Sequence, residues 1–201
     1  QNFNKGLTLT ALGSFWWGVI GVIYFKYISF AGPIEVVIHR CVWTSVVLII
    51  STFFFSKWNI FFEIIVNKKK LFLLFISGLL IFINWATWIY AVSTEKIIDA
   101  SFGYFIMPIL SVFLGYIFYK EKINKKRALS IILVLISIVF LLIVNFNSIP
   151  WVGIIVALSW GFYNLLRKKI NVDTDIGLLI ESLFILPFAL FSFFLIFQNN
   201  L

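Results

Sequence analysis

The sequence has few of the residues that build catalytic and metal sites. Its 201 residues include one cysteine, Cys41, one histidine, His39, and eight acidic residues. A single cysteine excludes an internal disulfide and a cysteine-based zinc site. No H-E-x-x-H, G-x-S-x-G or P-loop pattern occurs. We therefore predict that the protein is not an enzyme, and we predict no catalytic residue, no metal site and no cofactor.

Charge is also scarce, and apolar residues are abundant. Only 12% of the residues are charged, whereas 62% are hydrophobic and 20% aromatic. A soluble domain is about half apolar and about a quarter charged. The mean hydropathy of +1.07 leaves more apolar surface than a water-soluble core hides. The composition thus predicts a membrane protein whose outer surface is covered by the lipid bilayer.

Long apolar runs occur seven times, each of roughly the 20 residues that cross a bilayer. The predicted spans are 7–28, 34–56, 71–92, 98–119, 128–145, 150–166 and 176–197. No alternating pattern of about ten residues repeats as a membrane barrel requires. The first run lacks a short apolar core with a small-residue cleavage site, so we interpret it as a span and not as a signal peptide. The predicted fold is an all-α, polytopic helical bundle.

The positive charges lie between the spans and fall mainly on one side. With the N-terminus inside, thirteen Lys and Arg residues lie on the cytoplasmic side, and only Lys26 and Lys96 lie outside. This asymmetry follows the positive-inside rule. It predicts a cytoplasmic N-terminus and explains the net charge of +8 without a nucleic-acid partner.

Two segments of the chain resemble each other and suggest an internal repeat. The first span carries Trp17 with Lys26 nine residues later, and the sixth carries Trp160 with Lys169 nine residues later. A unit that begins at the first span and recurs at the sixth contains five helices. Because five is odd, the copies are inverted in the membrane, as in secondary transporters.

The second predicted span concentrates ionisable residues, which are costly inside a membrane at roughly 2.5–3.5 kcal/mol each. Glu35 and His39 are four residues apart and share a helix face, whereas Arg40 lies about 100° further round. Two interpretations are open. Either the three residues line a water-accessible cavity in which Arg40 reaches Glu35, Glu181 or a substrate anion, or they form a structural ion pair near the interface.

Polar residues in three other spans extend the candidate site. Asn84 lies mid-span beside Trp85, and it either holds helices together or touches substrate. Pro108 frees a backbone carbonyl near the middle of a span rich in small residues. Glu181 has no neighbouring charge in its own span, so it must pair across helices, be protonated or face water.

Several short motifs resemble a known family. Ala100-Ser101, Pro108, Gly115 and Glu121 resemble the EamA-type repeat of the drug/metabolite transporter superfamily. Other segments resemble its RarD branch, namely Glu35-x3-His39-Arg40, Asn84-Trp85, Gly103-Tyr104, Pro150-Trp151, Gly161-Phe162-Tyr163 and Gly177-Leu178 with Glu181. The resemblance covers essentially the whole chain, with one departure at Met107, where this branch has a polar Asn.

The resemblance implies ten helices in two inverted five-helix repeats (5+5). Residues 1–147 would form the first EamA-type repeat, and residues 148–201 would begin the second with two helices. The chain begins at Gln1 and ends at Leu201 without a polar tail, so we expect that both ends are truncated.

The implied function is a secondary transporter, or permease, that moves a small metabolite or drug-like molecule across the bacterial inner membrane by alternating access. The alternatives are a seven-helix receptor or retinal protein and a membrane-embedded enzyme. A retinal protein needs a Lys in its last span, and span 176–197 contains none. The sequence does not indicate the oligomeric state. The predicted substrate pathway comprises Glu35, His39, Arg40, Asn84, Trp85, Tyr104, Pro108, Tyr163 and Glu181.

Overall fold

A computed structural model describes residues 2–28, 30–145 and 149–199, and every regular element in these ranges is helical. The first helical stretch comprises α1 (Asn2–Phe15), a π-helical segment (Trp16–Gly21) and α2 (Val22–Tyr27). It is followed by α3 (Pro33–Phe54), α4 (Trp58–Val66), α5 (Lys68–Ser93), α6 (Ile97–Tyr119), α7 (Lys125–Asn145), α8 (Trp151–Ile170) and α9 (Thr174–Asn199). The prediction of an all-α polytopic bundle is confirmed.

A helix occupies each of the seven predicted spans. In the described part of the chain, six helices are long and apolar enough to cross a membrane. The remaining predicted span, α8, is long enough, but Arg167, Lys168 and Lys169 occupy its last turn and lower its apolar character. α8 is also the helix that packs most extensively against α5 and α6. On α8, the neighbouring helices α5 and α6 therefore cover much of the surface that would face lipid on the other helices.

The short helix α4 was not predicted from the sequence, which was interpreted there as a connection. Phe61 and Ile64 lie three residues apart on one face and are buried, whereas Phe62 and Val66 face outwards. Asn67 ends α4 and also begins α5, because its side-chain oxygen accepts a hydrogen bond from the backbone N–H of Lys70 at 3.1 Å. The connection between the second and third spans is thus a packed helix.

The first predicted span is not a uniform α-helix. Six residues, Trp16–Gly21, adopt the wider π-helical turn between α1 and α2. Such insertions are rare and often occur at functional sites. α1 and α2 also pack less against the rest of the molecule than the other spans do, and no residue in the best apolar window of this stretch is buried.

The core lies where α8 and α9 pack among the helices of the first part of the chain. α8 contacts α5 and α6, and α9 contacts α3 and α5. Gly103 of α6 and Gly153 of α8 touch so closely that a Cβ at either would overlap the backbone of the other helix. Gly78 of α5 likewise lies against the backbone of Glu181 in α9. Small residues at these crossings let the helix backbones approach, as is usual in membranes.

Candidate functional site

A cavity of about 970 Å³ lies between the α1–α2 stretch and α3. It extends from Phe30 and Ala31, in the connection between α2 and α3, to Thr44. By helical rise this covers roughly 16 Å of α3. Aromatic side chains dominate its wall, and they include Trp16, Trp17, Tyr24, Phe25 and Trp43.

The π-helical segment supplies part of this wall. Trp16 and Trp17 begin the segment, and both line the cavity. The Trp17 ring packs edge-on against Phe25 with centroids 6.1 Å apart, and it lies 6.2 Å from Trp88 of α5. Trp17 thereby joins the first helical stretch to the core.

Arg40 is the only cation among the residues that line this cavity. Its Cζ atom lies over the Trp85 ring at 4.2 Å from the centroid, 5.1 Å from the Trp17 centroid and 5.7 Å from that of Phe25. Its Nη1 atom is buried and has no hydrogen-bond acceptor among the described residues. Three rings therefore surround a guanidinium group that no described carboxylate neutralises.

Glu35 and His39 also line the cavity, but they do not form the predicted cluster with Arg40. Glu35 is half-buried, five residues before Arg40, and His39 is exposed. The His39 ring packs edge-on against Phe193 of α9 at 5.5 Å. In the described ranges, no hydrogen bond or ion pair joins any two of the three residues. The predicted pairing of Glu35 with His39 is not present in this structure, and Arg40 contacts neither Glu35 nor Glu181.

Glu181 lies in a second polar site, formed by α5, α8 and α9. Its carboxylate is fully buried and accepts hydrogen bonds from Ser77 Oγ at 2.5 Å and from the Tyr163 hydroxyl at 3.1 Å. Arg167 Nη1 lies 3.7 Å from Oε1, close enough for an ion pair. Arg167 passes over Gly177, where a Cβ would overlap the guanidinium. The sequence left open whether Glu181 pairs across helices, is protonated or faces water. In the structure, the Glu181 carboxylate of α9 pairs with Arg167 of α8.

Asn84 acts between helices in this structure. Its Nδ2 atom donates to the carbonyl oxygen of Val156 and to Ser159 Oγ, both at 3.1 Å, so α5 is bonded to α8. Tyr104 packs edge-on against Trp88 with centroids 5.6 Å apart, whereas Pro108 is exposed on α6. None of these three residues lines the large cavity.

The predicted pathway residues thus do not form one site. Glu35, His39 and Arg40 line the cavity, with Trp85 against Arg40. Tyr163 and Glu181 belong to the buried site. In the described part of the chain, Asn84, Tyr104 and Pro108 neither line the cavity nor bond to Glu181. Trp85 and Tyr163 are members of the same apolar cluster, with Trp160 packed against it. This cluster, called here the Trp85–Tyr163 cluster, includes Val36 of the cavity wall and Tyr163, which donates a hydrogen bond to Glu181.

Sequence reasoning missed several residues of these sites. Trp17 was singled out only as part of a repeat, although the Trp16-Trp17-Gly18 run at the start of the π-helical segment carries the signal. Arg167 was counted only as a cytoplasmic charge. Ser77 carried no signal, because a serine in an apolar span is common and its partner is distant in sequence.

Ion pairs join the ends of the helices on the lysine-rich side. Lys57 donates to Asp175 at 2.8 Å and to Asp173 at 3.3 Å, and these bonds, the one to Asp175 first, raise the pKa of Lys57. Lys168 donates to Glu121 at 2.6 Å, and Arg127 lies 3.5 Å from the same carboxylate.

The hydrogen bond and charge of Lys168 are the main reason that the pKa of the Glu121 carboxyl lies below its ordinary value. Within the described ranges, no group of three or more His, Cys, Asp and Glu side chains is arranged to hold a metal ion.

Comparison with known proteins identifies the family. The sequence profile of the EamA-like transporter family matches residues 4–143. The chain is 38% identical over 189 residues to an uncharacterized transporter of Vibrio cholerae, covering 94% of this chain and 62% of that protein. It is 34% identical over 196 residues to protein RarD of Escherichia coli, covering 98% of this chain and 66% of that protein. It is 33% identical to the transporter YojE of Bacillus subtilis, covering 92% and 63%.

No solved structure matches the chain. The chain spans somewhat less than two thirds of the length of these relatives, as the 62%, 63% and 66% coverages show. The profile match covers well over half of the chain, and the relatives named as transporters match nearly all of it. The chain therefore belongs to the EamA-like transporter family, and within it to the RarD type.

Proposed function

We propose that the protein is a secondary transporter that moves a small metabolite or drug-like molecule across the bacterial inner membrane by alternating access. The observation that carries this proposal is the cavity of about 970 Å³ with Arg40 in its wall. Its size is at the upper end of the range of about 300–1,000 Å³ for small-molecule sites. A charged residue at membrane depth is by default a functional candidate. The family is described as a transporter family, and the relatives from Vibrio cholerae and Bacillus subtilis are named as transporters.

The arrangement of the two polar sites supports alternating access. The cavity begins at the connection between α2 and α3, which the distribution of Lys and Arg assigns to the outer side. The Trp85–Tyr163 cluster connects the cavity wall to the Glu181 site. The ion pairs of Lys57 and Glu121 join helix ends on the opposite side. In our proposal, this conformation admits substrate from outside, and transport to the other side requires that the Trp85–Tyr163 cluster and these ion pairs open.

We also propose that residues 1–147 and 148–201 belong to two inverted repeats. The pairing of α3 with α9 supports this arrangement, because these are the second helices of the two proposed repeats. A two-fold axis that relates the repeats would bring equivalent helices together in this way. No nucleotide-binding motif occurs in the sequence, so we assign the driving force to an ion or solute gradient.

A transport assay tests the proposal. The protein, expressed from its complete reading frame, is reconstituted in liposomes, and uptake of radiolabelled benzoate, benzylamine and chloramphenicol is measured. We include chloramphenicol because one relative is named chloramphenicol-sensitive protein RarD. We expect saturable uptake of at least one probe that empty liposomes lack. Failure to transport any of them would count against the function, and full transport by the double variant Arg40→Gln, Glu181→Gln would refute the assigned sites.

A further inference from the structure

We propose that the cavity between the α1–α2 stretch and α3 binds a small organic anion with a flat apolar body. In this assignment Arg40 binds the anionic group, and the surrounding tryptophan rings contact the apolar body. The inference rests on the proposed function and names the class of substrate that its site accepts.

The first argument is the missing counter-charge of Arg40. A charged side chain inside a membrane normally pairs with an opposite charge or a backbone carbonyl. Arg40 forms no ion pair with any carboxylate of the described residues. Glu181, the fully buried carboxylate, is occupied by Arg167, Ser77 and Tyr163. An anionic ligand would supply the charge that the described part of the chain does not.

The second argument is the way in which the rings hold the guanidinium group. The Cζ atom lies 4.2 Å from the centroid of the Trp85 ring and 5.1 Å from that of Trp17. A guanidinium carries five N–H donors in its own plane, and aromatic rings accept none of them in ordinary hydrogen bonds. Nη1 of Arg40 therefore remains a donor for an anion, because it has no acceptor among the described residues. Two N–H groups at the edge of a guanidinium can bond to both oxygens of a carboxylate at once. A lysine ammonium acts as a point charge and fits the two oxygens less well.

The third argument concerns the rest of the cavity wall. Glu35 is the only carboxylate among the lining residues, and it is half-buried, roughly 7 Å further along α3 by helical rise. Near Arg40 the wall is cationic and aromatic, since the Trp17 ring lies 5.1 Å from its Cζ atom and Trp43 also lines the cavity. A ligand cation would meet repulsion from Arg40 there, whereas a flat apolar anion would meet attraction from both parts of the wall.

Arg40 also has a purely structural interpretation, in which its contacts with Trp17 and Trp85 hold α3 against the first helical stretch and α5. If Arg40 has only a structural role, replacing it should lower thermal stability, and the wild-type protein should show no preference for anionic over neutral or cationic ligands. The preference of the wild-type protein for one charge therefore separates the two roles without any variant.

The experiment is equilibrium dialysis of the complete protein in detergent with three radiolabelled probes of similar shape, namely benzoate, benzyl alcohol and benzylamine. We expect saturable benzoate binding that is at least tenfold tighter than binding of the neutral and cationic probes. Arg40→Gln should weaken benzoate binding at least tenfold, and Arg40→Lys should weaken it less. The matched control is Lys126→Gln, because Lys126 is exposed at the start of α7, does not line the cavity and forms no ion pair among the described residues; it should bind benzoate as the wild type does.

Equal or tighter binding of benzyl alcohol or benzylamine overturns the inference, as does unchanged benzoate binding by a folded Arg40→Gln protein. If Arg40→Gln does not fold, the charge preference of the wild type and the Arg40→Lys variant decide. Failure of the inference is distinguishable from failure of the proposed function. A protein that transports chloramphenicol or benzylamine in liposomes but does not prefer benzoate remains a transporter with a different substrate class.

Discussion

At the scale of single residues, the charges of Glu181 and Arg40 are accommodated in different ways. Glu181 is satisfied by two hydroxyl donors and Arg167, all from neighbouring helices. Arg40 is surrounded by rings and has no carboxylate partner among the described residues. Their replacement should therefore have different consequences. Replacing Glu181 should mainly lower the stability of the folded protein. Replacing Arg40 should mainly weaken ligand binding.

We expect Glu181→Ala to destabilise the folded protein by about 3 kcal/mol, because removing one partner of a buried ion pair leaves the other uncompensated. Glu181→Gln should cost less, since its one amide oxygen can still accept one of the two hydrogen bonds that Ser77 and Tyr163 donate to different oxygens of the carboxylate. Thermal unfolding in detergent, followed by tryptophan fluorescence, measures both variants. Glu63→Gln is the control, because Glu63 is exposed on α4. Equal stability of Glu181→Ala and wild type would contradict the assigned contacts.

At the scale of helices, close contact between backbones holds α8 in the bundle. Gly103 and Gly153 allow α6 and α8 to touch, and the hydrogen bonds of Asn84 join α8 to α5. Bonds of this kind between membrane helices contribute about 0.6 kcal/mol on average. The glycine contact tolerates substitution less well than the hydrogen bonds of Asn84 do. A Cβ added at Gly103 would meet backbone atoms of Gly153, which cannot move independently of α8.

Gly103→Ala should therefore destabilise the bundle by about 1–3 kcal/mol, the usual cost of overpacking. Gly13→Ala is the matched control, since a Cβ at Gly13 meets no atom within 4 Å. We expect the control to unfold at or slightly above the wild-type temperature, because alanine favours helix more than glycine does. If both variants unfold at the wild-type temperature, α6 and α8 do not approach as closely as the structure has them.

The Glu121 ion pairs join the end of α6 to α7 and α8, and they should make stability depend on pH. Because the pKa of folded Glu121 is lowered by Lys168, its contribution is fully present above the ordinary carboxyl pKa. It is lost as the pH falls through the lowered pKa of the folded state. Glu121→Gln should thus lose less thermal stability than wild type between about pH 7 and about pH 3.

The melting temperatures of wild type and Glu121→Gln, taken across this range, measure the effect. Glu63→Gln again serves as control, because no ion pair of Glu63 occurs in the described ranges. High salt should reduce the difference between wild type and Glu121→Gln at neutral pH, since exposed pairs are screened. A steeper acid-induced loss in Glu121→Gln than in wild type would contradict the assigned pairing.

At the scale of the whole molecule, the distribution of Lys and Arg predicts how the bundle is inserted. In a cysteine-free Cys41→Ala background, we expect Lys96→Cys to react with a membrane-impermeant maleimide on intact spheroplasts. Lys69→Cys should react only after the membrane is permeabilised. Both positions are exposed in the structure, so access within the protein does not differ between them. The reverse labelling pattern would place the N-terminus outside.

Much of the fold could be predicted from the sequence, because a bilayer requires long apolar helices whatever their packing. All seven predicted spans coincide with helices. α4 was missed because nine residues are too few to be interpreted as a span. The π-helical segment was missed because no period in the sequence distinguishes it from an α-helix.

The sequence by itself determined that this chain is a helical membrane protein, and its motifs indicated the family. It also singled out Arg40 and Glu181 as charges that need a partner. Only the tertiary structure decided which partner each one has. Arg167 is fourteen residues before Glu181, and Ser77 is over a hundred residues away. Such contacts depend on which helices pack together and on how far each is shifted along its axis relative to its neighbours. The sequence of a single span determines neither.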